Sequence, residues 1–195
     1  MFAKTFVVEG PDRVGKQTQT NMLVDRLREV GNKVKLVEVP FNDRVTYSVI
    51  YWMLKNGMAK SLPNLFQFIQ FLNKFFFQVL VLPFLMVFYD YVIFDRWALS
   101  AIVYGNVGGA NSAMVSFLDN FLFKPRGMVV LTGRAHIPGN EDVYESDSDF
   151  QGTVREYYSI VSPDLRSCET VNANQSREAV HAEIKKHFDH LCNGV

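Results

Sequence analysis

Residues 10–16, GPDRVGK, read G-x-x-x-x-G-K, and no other stretch constrains the fold of this chain as tightly. A short β-rich run, residues 5–9, leads into them, and residues 16–30 alternate apolar and polar side chains at helical spacing until Gly31. That order is strand, loop, helix. Glycines let consecutive backbone N–H groups face one anion, the helix N-terminus adds partial positive charge, and the lysine reaches the outer phosphate oxygens. The expected phosphate cradle is Gly10, Pro11, Asp12, Arg13, Val14, Gly15, Lys16, Gln17 and Thr18. Gln17 stands where a Ser or Thr hydroxyl usually meets Mg²⁺, so its amide oxygen is a candidate metal ligand, direct or through water.

Further strand-like runs follow at residues 33–39, 91–94 and 128–132, with a weaker one at 168–171. Helical spacing is expected over 46–55, 64 to about 82, 112–122, 150–161 and 176–191, the last capped by Ser176. Strands alternating with helices predict an α/β chain. The expected architecture is a P-loop NTPase three-layer α/β/α sandwich, with a central parallel five-stranded sheet, in one domain over residues 1–195. The polar stretch 135–149 is the expected lid.

Lysine plus arginine equals aspartate plus glutamate, 20 each, so no global field draws the chain to nucleic acid or to an anionic membrane. Cys168 and Cys192 lack metal-site spacing, and a reducing, cytoplasmic setting is expected. The N-terminus reads as neither signal nor transit peptide. Residues 75–88 are almost wholly apolar but too few to span a bilayer, which takes about 20, so a buried helix is expected there.

Three blocks resemble the thymidylate kinase family of nucleoside monophosphate kinases. The first, VEGPDRVGKQTQ, is similar to the class with an arginine inside the P-loop. The resemblance implies that Arg13 and Lys16 contact the transferring phosphate of ATP and that Asp12 partners the sugar 3′-hydroxyl. The second, FDRWALSAIVYG at 94–105, is similar to the family's Asp-Arg signature with its following serine and tyrosine. It implies that Asp95 organises Mg²⁺, Arg96 grips the acceptor phosphate with Ser100 nearby, and Tyr104 lies against C2′ and disfavours ribose. A carboxylate and a guanidinium at the C-terminal end of a parallel strand also fit the crevice where such sheets bind ligands. The third, DVYESDSDFQGTVREYY at 142–158, resembles the lid and the helix after it, bringing Tyr144 and Gln151 to the monophosphate. Val143 and Thr153 stand where arginine is common, and Arg134 is the only basic residue in 132–154.

Phe41 and Arg44 resemble the family's monophosphate-holding pair, Leu54 floors the pocket, and Asn174 and Gln175 fall near the adenine. In FLNKF, at 71–75, Phe71 is the expected base-stacking ring and Lys74 the polar reader of the base. The reaction implied is transfer of the γ-phosphate of ATP to dTMP by a homodimer that packs its phenylalanine-rich helices. Three alternatives stay open. One is another pyrimidine acceptor, dUMP or a C5-modified dUMP. Another is a deoxynucleoside kinase with Glu38 as base. The third is a nucleotide-binding protein without turnover, conceivable from Gln17 and the depleted lid.

Overall fold

The computed structural model describes residues 2–133, 148–165 and 167–194. Most of the expected lid therefore lies outside the described residues, as do Arg134 and Tyr144.

Five strands form one sheet: β1 (Lys4–Glu9), β2 (Val34–Glu38), β3 (Tyr91–Asp95), β4 (Gly127–Thr132) and β5 (Cys168–Asn172). Their order is β2-β3-β1-β4-β5, every neighbouring pair parallel, as expected. Side chains alternate across β1. Phe6 and Val8 join one core with Leu23, Val24, Leu27, Ile184 and Phe188, while Val7 joins another with Phe77, Phe94, Trp97 and Tyr158. Both faces are thus covered, as parallel sheets require. Helices α1 (Lys16–Glu29) and α9 (Arg177–Phe188) cover the first face; α4 (Pro63–Leu80), α6 (Ala98–Val107) and α8 (Ser148–Val161) cover the second. Helices α2 (Thr46–Lys55) and α3 (Met58–Ser61) join α4 in a small third core of Ile50, Met53, Ala59 and Phe66.

The helix expected from 64 to about 82 is α4, but the buried helix expected over 75–88 is neither one helix nor buried: it divides between the end of α4 and a further helix, and Phe76, Leu80, Phe84, Val87 and Phe88 are exposed. Helix α4 stops at Leu80, and α5 (Leu82–Phe88) leaves it at 44°. Pro83 is the reason: its ring cannot donate to the preceding turn, so it sits in the first turn of a new helix. No single described helix is long and apolar enough to cross a membrane; the bent pair passes only by length and composition. Helix α6 and the short α3 were not legible from periodicity. Helix α7 (Ser112–Asp119) ends three residues before its expected limit. Ser176 caps α9, its hydroxyl accepting from the Ala179 N–H at 3.2 Å.

Candidate active site

The register of the sheet builds the site. Val8 on β1 pairs with Asp95 on β3, so the glycine-rich loop and the Asp95-Arg96 pair emerge side by side at the C-terminal edge. A side chain at Gly10 would place its Cβ 2.5 Å from the Leu131 carbonyl oxygen, so only glycine lets the loop turn here. Gly15 has φ of 93° immediately before Lys16 opens α1. The buried Lys16 ammonium folds back onto the Pro11 carbonyl. Burial pulls its pKa down to about 7, Arg96 adds to the fall, and Asp12, Asp95 and Glu9 oppose it. Gln17 and Thr18 are exposed in the first turn of α1.

Arg96 holds the two loops together. It adopts a left-handed backbone, φ 71°, uncommon for a non-glycine residue, and its own N–H donates to the Val8 carbonyl at 3.0 Å. Its guanidinium pairs with the Asp12 carboxylate and donates to the Gly10 carbonyl (3.2 Å) and to Ser100 Oγ (3.3 Å). The other Asp12 oxygen accepts from Tyr104 Oη at 2.6 Å and from Gln151 Nε2 at 3.2 Å. Burial works against ionised Asp12, but Arg96, Lys16 and these two hydrogen bonds outweigh it and hold the carboxyl below its usual range. Asp95 is pushed the other way by burial, despite Arg96 and Lys16. Its Oδ1 is buried without a hydrogen-bond partner among the described residues.

Sequence reasoning missed Glu9. Fully buried at the end of β1, its carboxylate accepts from the backbone N–H groups of Trp97 (2.7 Å) and Ser100 (3.2 Å), from Ser100 Oγ (2.5 Å) and from Tyr158 Oη (3.1 Å). A carboxylate thus anchors the N-terminus of α6, where the helix dipole favours negative charge, and fixes the turn carrying Arg96. Its place directly before the loop was the available signal. Asn73 was missed too: buried on α4, it accepts from the Phe41 N–H and donates to the Phe41 carbonyl, both at 2.7 Å, tying the loop after β2 to α4.

A cleft of about 170 Å³ opens beside Arg96. Asp12, Arg96, Ser100 and Tyr104 line it, as do Leu54, Phe66, Gln67, Gln70 and Lys74, with Val39, Pro40, Trp97 and Ala101 completing the wall. Leu54 and Lys74, both expected at the acceptor pocket, line this cleft. Phe71 is not among the lining residues: it turns toward Phe68, Phe75 and Phe121 and faces a smaller neighbouring cavity, while the phenylalanine on the main cleft is Phe66. The cause is helical phase: 67, 70 and 74 follow one face, and Phe71 falls beside it. Phe41 packs on Phe77, ring centroids 4.7 Å apart, and Arg44 is exposed. Neither lines the cleft. Glu38 pairs with Asp95 in register but is exposed and does not line it either. Asn174 and Gln175 lie in the loop after β5, beside the loop after β4: the Ala173 N–H donates to the Thr132 carbonyl at 2.7 Å.

The sequence model for thymidylate kinase matches residues 8–184. The chain belongs to the thymidylate kinase family. Membership makes it a phosphotransferase of the nucleoside monophosphate kinase class, a dTMP kinase with ATP as donor. The thymidylate kinase of Candida albicans superposes with a TM-score of 0.76 at 19% identity, over 96% of this chain and 92% of that one. That of Ehrlichia chaffeensis superposes with a TM-score of 0.75 at 20% identity, over 95% and 98%. At such identities the likeness shows the family's fold. No curated protein sequence matches the chain significantly.

Proposed function

We propose that the chain moves the γ-phosphate of ATP in line onto the phosphate of dTMP, with the acceptor lying in the cleft between Arg96 and Lys74. The observation that carries this is the single cleft wall on which Asp12, Arg96 and Tyr104 meet Gln67, Gln70 and Lys74. Phosphate-handling and base-handling groups then face one small ligand. Lys16 leaves the Pro11 carbonyl for the β and γ oxygens of ATP, and Arg13 in the loop stabilises charge on the moving phosphoryl, as in the class with a P-loop arginine. Arg96 exchanges part of its contact with Asp12 for the acceptor phosphate, Arg44 screening the same dianion. Asp12 then partners the 3′-hydroxyl, with Gln151 beside it and Tyr104 closing the space a ribose 2′-hydroxyl needs.

No general base is required, because the attacking phosphate oxygen is already ionised; positioning and electrostatics carry the rate. Asp95 Oδ1, without a partner among the described residues, fits a divalent cation, since Mg²⁺ is commonly held by one or two carboxylates plus substrate phosphates. Among the described residues no cluster of three metal-ligating side chains exists, which suits a site completed by the nucleotide. Asp95 is the direct candidate ligand and Gln17 an outer one. A Mg²⁺ held by these residues would supply charge neutralisation at the phosphates. Asn174 and Gln175 border the adenine, and Phe66 takes the base-facing role first expected of Phe71.

Helices α4 and α5 expose Phe68, Phe76, Leu80, Phe84, Val87 and Phe88. An apolar surface of this kind marks an interaction site, and the reading adopted is a homodimer face. Sedimentation of a dimer supports it; a monomer that pellets with liposomes contradicts it.

The test is ADP release with ATP and Mg²⁺ over deoxynucleoside monophosphates, ribonucleoside monophosphates and thymidine. Turnover confined to dTMP and closely related deoxyuridylates is expected. Turnover with thymidine alone contradicts the assignment of Arg96 to an acceptor phosphate.

A further inference from the structure

Gln67 lines the base end of the cleft, yet it is 6% exposed, and its Oε1 is buried with no hydrogen-bond partner among the described residues. Burying an unpaired amide oxygen opposes folding, and buried polar groups nearly always find a partner. A side chain at the wall of a ligand cleft whose amide oxygen is left unpaired points to a ligand atom. Its seat is also built. A Cβ at Gly105 on α6 would lie 3.3 Å from Gln67 Cδ, so the missing side chain there is what leaves room for the amide.

Two turns along the same face of α4 stands Lys74, 2% exposed, its ammonium donating to Gln70 Oε1 at 3.4 Å. Gln67 and Lys74 line the main cleft together and also share the wall of the smaller cavity behind it. The cleft therefore presents an ammonium, which only donates, beside an amide, which donates or accepts.

We propose that the Gln67 amide reads N3 of the pyrimidine while Lys74 donates to the 4-oxo group, which makes Gln67 a specificity residue for this reaction. The inference rests on the dTMP kinase reading. A thymine or uracil edge offers an N3–H donor flanked by carbonyl acceptors, matching the amide oxygen and the ammonium. Cytosine reverses both groups. The amide can flip to meet its N3, but the ammonium cannot accept from a 4-amino group. Lys74 thus rejects the 4-amino base, and Gln67 alone rejects a base alkylated at N3.

That division picks the probe. Steady-state kcat and KM are measured for dTMP and for N3-methyl-dTMP with the wild-type chain, Gln67→Met and Gly105→Ala. The wild type is expected to prefer dTMP by about a hundredfold or more in kcat/KM. Gln67→Met is expected to raise KM for dTMP about tenfold, with kcat within about twofold, and to shrink the preference by a similar factor. Gly105→Ala, which displaces the amide without removing it, should move KM in the same direction by less and serves if Gln67→Met does not fold. A purely structural role for Gln67 lowers the melting temperature and leaves the preference unchanged, and that result overturns the proposal. Wild-type turnover of both nucleotides at similar rates overturns it as well while leaving the kinase reading intact; absence of dTMP turnover in the wild type removes the kinase reading itself.

Discussion

The two ends of the cleft are built on opposite principles. Around Arg96 the polar groups satisfy one another, with Asp95 Oδ1 the exception among the described residues: Asp12, Gly10, Ser100, Tyr104, Gln151 and Glu9 form one connected network of hydrogen bonds. Around Lys74 they are under-satisfied among the described residues, with one long hydrogen bond to Gln70 and an unpartnered amide oxygen on Gln67. The contrast teaches what each end does. A phosphate is the same in every nucleotide, so its site can be held ready by the protein's own contacts. A base has to be distinguished from its competitors, and discrimination is strongest where the wrong ligand leaves buried groups unpaired.

The largest effect is expected at the phosphate end. Lys16→Met removes the cation from the β and γ oxygens and should lower kcat by about a thousandfold, as loss of a principal transition-state charge partner does; rapid-quench turnover checks it. Because Lys16 is a buried charge, the same variant should melt no lower than the wild type. Arg96→Lys comes next. A lysine cannot keep the forked contacts to Asp12, Ser100 and Gly10, and kcat/KM for dTMP should fall by about a hundredfold, with KM for dTMP rising more than KM for ATP.

Glu9→Gln tests whether the network stands on its buried carboxylate. The amide keeps the shape, but its NH₂ faces donors, and the chain should lose about 1–3 kcal/mol in urea unfolding. An unchanged midpoint would mean that Trp97 and Ser100 do not depend on that charge. The smallest effect expected is on pH. Lys16, its pKa lowered to about 7 by burial, regains its ordinary charge preference beside ATP phosphates. Binding above neutrality therefore takes up a proton, and ATP affinity should fall about fivefold between about pH 7 and pH 8. Calorimetry in two buffers of different ionisation enthalpy reads the proton directly.

The same contrast explains what was legible in the sequence. The phosphate end is written in contiguous motifs, GPDRVGK and FDRW, whose spacing alone fixes which backbone and side-chain groups converge. The base end depends on which face of α4 meets the cleft. In a helix with phenylalanines at 66, 68, 71, 75, 76 and 77 the apolar pattern does not mark one face, so Phe71 was expected on a wall that Phe66 occupies. Helix α6 was hidden for a related reason, since ALSAIVYGNV is apolar on nearly every side and shows no period. The break between α4 and α5 was legible at Pro83, although the expected helix ran on to about residue 82.

The most direct measurement follows label from [γ-³²P]ATP into nucleotide product, with wild type and Lys74→Met, using dTMP and thymidine as acceptors. Label in dTDP, with KM for dTMP raised in Lys74→Met and KM for ATP unmoved, is the predicted result. Label in dTMP formed from thymidine, or a KM for dTMP indifferent to Lys74, contradicts an acceptor held between Arg96 and Lys74.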